Sequence, residues 1–178
     1  MIRWIALTVA GVLVAFGVVL AVQHKKESSV PRLVQEHKAV PSFDLTTLDG
    51  KAIGAKGLAG KTYVVNFWNS WCIPCRQEEG ALRAFYKAHA KDPDFGMVGI
   101  VRDDSEGAIR RYQKSNGIAW PVAMDPNGTA GLGFGTTGQP ETYVISPAGV
   151  AACGGLGPVT ESDLERWLQA VRAGGVCV

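Results

Sequence analysis

The residues with the most chemistry in this chain are Cys72 and Cys75, three apart in the run Trp71-Cys72-Ile73-Pro74-Cys75. Upstream, Thr62 to Trp68 reads Thr-Tyr-Val-Val-Asn-Phe-Trp, an apolar, β-rich run long enough for a buried strand. Downstream, a helical pattern extends to about Ala90. The two cysteines therefore sit where a strand hands over to a helix. A helix N-terminus carries partial positive charge, which favours thiolate at the first cysteine. Cys72 is expected to be exposed there as the nucleophile. Cys75, one turn deeper, is placed to attack the resulting mixed disulfide and release product. That is thiol–disulfide exchange.

Other uses of a Cys-x-x-Cys pair fit less well. A structural zinc site needs a second Cys or His pair, and His24, His37 and His89 do not supply that spacing. Covalent haem attachment needs His directly after the second cysteine, and Arg76 stands there. A plain structural disulfide leaves the strand-to-helix placement unexplained. Exchange through two thiols calls for no cofactor and no metal.

The elements around the pair define an α/β domain. Phe43, Leu45 and Leu48 lead into Asp49-Gly50, a favoured tight-turn pair, so a short hairpin is expected. After the central strand and helix come a buried strand at Met97 to Val101 and a helix from Ser105 to Ser115 ending near Gly117. Pro121 to Ala123 reads as a short strand. Asn127 to Gly138 reads as a flexible, glycine-rich connection, since its glycines lack the strand-to-helix setting of a nucleotide loop. Two strands, Glu141 to Ile145 and Val150 to Cys153, follow. A last helix is capped by Thr160, with Asp163 in its first turn, and ends at Gly174. Its Leu164, Trp167, Leu168 and Val171 form one apolar stripe. The order implies a mixed central sheet with helices on both faces.

Val65-Asn66-Phe67-Trp68 followed by Trp71-Cys72-Ile73-Pro74-Cys75-Arg76 resembles the TlpA/ResA/CcmG (DsbE-like) group of thioredoxin-like proteins. Gly138-Gln139-Pro140-Glu141-Thr142 and the region from Pro41 to Gly60 carry the same likeness, which spans roughly residues 41 to 172. The resemblance implies a thioredoxin-like fold with a central insert, held by one N-terminal helix outside the cytoplasm. It further implies a disulfide reductase, with apocytochrome c as one substrate. It makes Pro140 a cis-proline facing the active-site disulfide, with the Gln139 backbone open to a substrate chain. Gln139 departs from the smaller or β-branched residues usual there. Asn66 stands where thioredoxins proper have a buried Asp, and the group has instead a Glu three residues after the second cysteine, here Glu78.

Helix geometry points to Glu78 independently. At 100° per residue from Cys75, Leu82, Phe85 and Tyr86 lie within about 80° of it, with Glu78 inside the same arc. Glu79 falls at the boundary, where it reaches Arg83 one turn on. A carboxyl on the buried face resists ionisation, and its proton can serve Cys75. The resemblance gives Glu78 the same acid–base role and names Glu141 as a second acidic residue near the site.

Trp4 to Val22 is uncharged, with Thr8 its only clearly polar side chain. As a helix it spans roughly 28 Å, close to the apolar thickness of a bilayer. Residues 1–22 are therefore expected to be a transmembrane anchor, 23–40 a polar linker, and 41–178 the thioredoxin-like domain. Val19 and Ala21 would also suit a cleavage site, so a removed signal peptide stays open, although the length of the run favours retention. The expected location is a single-pass cell-membrane protein with its domain on the extracytoplasmic side. In that compartment disulfides persist, and Cys153 and Cys177 are expected to form a second, structural one, against the alternative of two separate thiols.

Expected partners are cysteine-containing polypeptides, a membrane thiol electron donor and the membrane itself. The formal charge of +2 offers no basic face for nucleic acid. A disulfide-introducing oxidase and a non-catalytic adaptor that holds cysteine-containing chains are the rival functions, with a peroxide-reducing enzyme more distant.

Overall fold

The computed structural model describes residues 11–18 and 38–177. Residues 11–18 are helical (α1) and carry Val12, Leu13, Val14, Phe16 and Val18 exposed. The rest of the expected anchor and most of the linker lie outside the described residues. Among the described residues no helix is long and apolar enough to cross a membrane.

Residues 38–177 are built on one eight-stranded sheet. In chain order its elements are β1 (Lys38–Ala39), β2 (Asp44–Thr47), β3 (Ala52–Gly54), α2 (Ala55–Leu58), β4 (Thr62–Phe67), α3 (Ile73–His89) and β5 (Phe95–Val101). There follow α4 (Glu106–Asn116), β6 (Val122–Met124), α5 (Thr129–Phe134), β7 (Glu141–Ile145), β8 (Val150–Leu156) and α6 (Glu161–Arg172). The spatial order is β1-β8-β7-β4-β5-β6-β2-β3. β4 is central, parallel to β5 and antiparallel to β7. The sheet begins slightly before residue 41, because Lys38 and Ala39 pair with β8.

β4 is buried along its whole length, which its unbroken apolar run requires. Its alternating side chains feed two cores. Val64 and Trp68 face α3 and α6, with Phe85, Leu164 and Leu168; Val65 and Phe67 face the other layer, with Phe43, Phe134 and Tyr143. The Asp49-Gly50 hairpin forms, Gly50 taking φ +82° in its turn.

The glycine-rich connection differs from expectation. Thr129–Phe134 folds into α5, and the buried Asp125 carboxylate accepts from Thr129 Oγ1, Ala130 N and Gly131 N at 3.2, 3.3 and 2.9 Å. Phe134 then fills the second core against Phe43, Phe67 and Tyr143. Low helix propensity is overridden by one buried carboxylate that accepts from first-turn amides and by one buried ring.

Candidate active site

Cys72 is the N-cap residue of α3, and Pro74 occupies the first turn, where a missing amide proton costs nothing. The backbone amide of Cys75 donates to Cys72 Sγ at 3.2 Å. Cys72 and Cys75 are joined as a disulfide, with Cα atoms 5.3 Å apart. Cys72 is 4% exposed, so in the disulfide form it is not the open nucleophile the sequence suggested. The helix end closes on it from one side. From the other, the Gln139 carbonyl lies 3.9 Å from its sulfur, a contact that becomes a hydrogen bond only when a thiol proton is present.

The Gln139–Pro140 peptide bond is cis, and Pro140 is buried beside the pair while Gln139 is half-buried. Trp71 and Ile73 flank the cysteines at 55% and 69% exposure. Trp71 is fixed by Nε1 donating to the Asp103 carbonyl at 2.8 Å. The loop before α3 is held by Ser70, whose amide and hydroxyl both donate to Asp104 Oδ2, and by the Arg76 guanidinium donating to the Ser70 carbonyl.

Glu78 lies on the buried face of α3 at 1% exposure. Its Oε1 accepts from Asn66 Nδ2 at 2.8 Å and its Oε2 from the Val159 amide at 3.0 Å. Asn66 Nδ2 also donates to Thr142 Oγ1, tying α3 to β4 and β7. Burial pushes the Glu78 carboxyl up to about 8, with the two hydrogen bonds only partly opposing it. Glu78 is one helical turn from Cys75 on the same face, so a proton-holding acid lies next to the resolving cysteine.

Two carboxylates behave differently from Glu78. Glu79 is also largely buried, accepting from Tyr112 Oη at 2.5 Å, with Arg83 Nε 3.8 Å away. Glu141 directly follows cis-Pro140, whose preceding carbonyl lies against Cys72, but its hydrogen-bond partners are not those of Glu78. It pairs with Phe67 in register, and strand alternation puts it on the face of Phe67 and Tyr143, opposite Asn66, Thr142 and Glu78. There it accepts from Tyr143 Oη at 2.5 Å and the Thr137 amide at 3.1 Å, clamping the loop that leads to Pro140. Cys153, in the middle of β8, is bonded to Cys177 in the tail after α6, with Cα atoms 4.9 Å apart.

Sequence reasoning did not find the Val159 amide or Thr142. A backbone donor 81 residues from Glu78 leaves no mark in side-chain spacing. Among the described residues no group of three or more His, Cys, Asp or Glu is placed to hold a metal ion.

The family model described as AhpC/TSA family matches residues 37–152, most of the sheet and the whole cysteine site. The chain belongs to this family. Within it, ResA, a thiol–disulfide oxidoreductase of Bacillus cereus (strain ZK / E33L), is 32% identical over 139 residues, 78% of this chain and 79% of that one. ResA of Bacillus subtilis (strain 168) is 29% identical over 141 residues, 79% of this chain and 78% of that one. A crystal structure of a thiol:disulfide interchange protein of the thioredoxin family from Chlorobium tepidum TLS superposes with TM-score 0.68. It is 32% identical and covers 78% of this chain and 98% of the other. The matched family, these relatives and the cysteine geometry agree: the protein is a thiol–disulfide oxidoreductase of thioredoxin-like fold.

Proposed function

We propose that this oxidoreductase is a membrane-anchored, extracytoplasmic disulfide reductase. It keeps cysteine thiols of exported polypeptides reduced, apocytochrome c among them, and is recharged by a membrane thiol donor. The observation that carries the direction of electron flow is the buried acid beside Cys75. A strong oxidant such as DsbA owes its potential to a strongly stabilised thiolate. Here Cys72 receives one backbone amide, Arg76 is committed to the Ser70 carbonyl, and Glu78 makes the inner side of the site unfavourable to negative charge.

The chemistry balances with these residues. The Cys72 thiolate attacks a substrate disulfide, forms a mixed disulfide and releases one substrate thiolate. Cys75 then gives up its proton, for which the ionised form of Glu78 is the local acceptor, and attacks Cys72 Sγ. The second substrate thiolate leaves and takes a proton from solvent. The protein ends oxidised by two electrons and the substrate reduced by two. In recharging, neutral Glu78 returns a proton to Cys75 as it leaves.

For the compartment, support comes from the second disulfide and from the charge-free run around α1. Equilibration of the Cys72–Cys75 couple against glutathione and dithiothreitol tests the direction. A reductase gives a potential well below that of DsbA, toward the roughly −270 mV of thioredoxin; a value near about −120 mV overturns it in favour of an oxidase. Turnover of insulin disulfides with added reductant separates either enzyme from a holding adaptor, which binds without turning over. A reporter fused after Val178 and active only in the cytoplasm contradicts the location.

A further inference from the structure

Behind Cys75 lies a small cavity of about 10 Å³, walled by Asn66, Trp68, Cys75, Glu79, Leu82, Tyr112, Ile118 and Trp120. Three of those residues bring buried polar atoms that have no protein partner among the described residues: Asn66 Oδ1, Trp68 Nε1 and Trp120 Nε1. All three side chains are at least nine-tenths buried, so bulk solvent does not serve them. The atoms also converge. Asn66 and Gly99 are register partners on β4 and β5, which puts the Asn66 side chain beside the bare α-carbon of Gly99 on the same face. A β-carbon on Gly99 would lie 2.5 Å from Trp68 Nε1 and 3.2 Å from Trp120 Nε1. Glycine in the middle of a buried strand costs stability, and here its absent side chain leaves room for two indole donors.

We propose that this cavity is a built site for one water molecule, which hydrogen-bonds the sulfur of Cys75. Its chemistry fits a water and little else. Two donors and one acceptor point in, and a sulfur supplies the fourth partner. The water accepts from the Trp68 and Trp120 indoles and donates to Asn66 Oδ1 and Cys75 Sγ. A buried water of this kind makes about three or four hydrogen bonds, and a space of this order holds about one. Unpaired, each buried indole or amide group would keep its full desolvation cost.

The consequence concerns the resolving step and rests on the oxidoreductase chemistry of the cysteine pair. When Cys75 loses its proton to attack the mixed disulfide, the new thiolate faces the ionisable groups of its own helix, Glu78 and Glu79, with Arg76 and Arg83 on the outer side, and Tyr112 of α4. None of these donates a hydrogen bond to its sulfur. The water does, with its orientation fixed by two indoles that cannot rotate to follow it. Trp68 and Trp120 are thus positioning residues for Cys75, acting through the water and not touching substrate.

The test begins with the unaltered full chain in reduced form. Magnetisation transfer from water to the indole protons should give long-lived contacts at Trp68 and Trp120. Absence of both, in a protein that turns over insulin disulfides, overturns the water site and leaves the enzymatic reading standing; failure to turn over insulin would count against that reading instead. Trp120→Phe keeps a ring against Tyr86 while removing one donor. It should weaken the water contact at Trp68 and raise the Cys75 thiol titration by about one unit, a tenfold loss of thiolate at fixed pH. Mixed disulfide should accumulate correspondingly, with formation of the Cys72 adduct unchanged. If the contact at Trp68 is lost while the Cys75 titration and the resolving rate stay put, the water has no part in the chemistry and the proposal fails. Trp68→Phe repeats the comparison from the other donor, and the measurement on the unaltered chain decides even where a variant does not fold.

Discussion

The two disulfides of this domain have similar bonds and opposite surroundings. Cys72–Cys75 closes a separation of 3 residues at the start of α3, beside a cis-proline loop, between exposed Trp71 and Ile73 and over the buried acid Glu78. Cys153–Cys177 closes a separation of 24, joining buried β8 to the tail after α6, where the Cys177 amide also donates to the Ala152 carbonyl at 3.0 Å. The Trp167 carbonyl lies 3.9 Å from Cys153 Sγ, an acceptor where Cys72 Sγ faces the donating amide of Cys75. What separates the pairs is their setting: Cys72–Cys75 has a helix amide at Cys72 Sγ, a buried acid one turn from Cys75 and two exposed apolar side chains beside it.

The sharpest way to break this comparison is to remove each pair in turn. Cys72→Ser should lower insulin-reduction turnover by on the order of a thousandfold or more, because the nucleophile is gone. Cys75→Ser should instead trap the mixed disulfide, visible by non-reducing electrophoresis. Replacing Cys153 and Cys177 together by Ala should leave turnover at 25 °C within about twofold and cost stability on the order of 3 kcal/mol in the chain-entropy model. The melting temperature should then fall by roughly 10 °C. A folded double variant without turnover would show that the second bridge serves the first.

Graded reduction sharpens the same contrast without mutation. With increasing dithiothreitol, alkylation and mass mapping should find Cys72 and Cys75 modified at least about tenfold earlier in reductant than Cys153 and Cys177. Simultaneous opening would mean that the structural pair is no better protected than the reactive one.

Glu78→Gln tests the acid. Burial pushes the folded carboxyl up to about 8 from its ordinary 4.5. Between those values the folded protein holds a proton that the unfolded chain has released, and stability therefore falls as pH rises from about 4.5 to 8, then levels. In the Gln variant that slope should vanish, and the pH profile of Cys75 alkylation should lose its inflection near 8. The resolving step should slow by about ten- to a hundredfold, in the range of general acid–base contributions. Denaturant titrations at several pH values and a thiol titration check both parts. A slope that survives in Glu78→Gln belongs to another group.

Much of this was legible in the sequence, for identifiable reasons. The Cys-x-x-Cys pair, the all-buried run of β4 and the Thr160 cap are local patterns, and the Thr160–Asp163 capping box forms as its spacing implies. Helix rotation sufficed to bury Glu78, because a single helical face decides it. Cooperation between distant strands was not legible. Asn66 reads only as the absence of an Asp, whereas in the fold it bridges Glu78 and Thr142 across three elements. The partners of Glu141 were hidden for a complementary reason. Its position next to Pro140 suggested the site, but a one-residue step along a strand reverses the face, and the register sends it to Tyr143. The helix α5 was missed because its determinants, Asp125 and Phe134, are a buried carboxylate and an anchor that propensity does not weigh.

The smallest expected effect belongs to Glu79→Gln, and it is the control that gives Glu78 its meaning. The two glutamates are adjacent and both largely buried, so sequence position and burial alone do not separate them. Their partners do. Glu78 is held from within, by Asn66 and the Val159 amide, whereas Glu79 is held from outside by Tyr112 and loosely by half-exposed Arg83. A Gln at 79 keeps a carbonyl to accept from Tyr112 and gives up only a long ion pair of the kind worth about 0–1 kcal/mol. Stability should change by no more than that, the slope between pH 4.5 and 8 should persist, and the Cys75 profile should stay within about half a unit. One quantity should move. Tyr112 is pushed up to about 12 by burial first and by the Glu79 hydrogen bond and charge next, so losing that charge should bring its ultraviolet ionisation down while Tyr143 is unaffected. A Tyr112 shift with an unmoved thiol profile shows that the substitution reached its target and that the target is structural. A thiol profile displaced as far as in Glu78→Gln would mean that the site responds to any nearby carboxylate, and the special position of Glu78 on the inner face of α3 would lose its support.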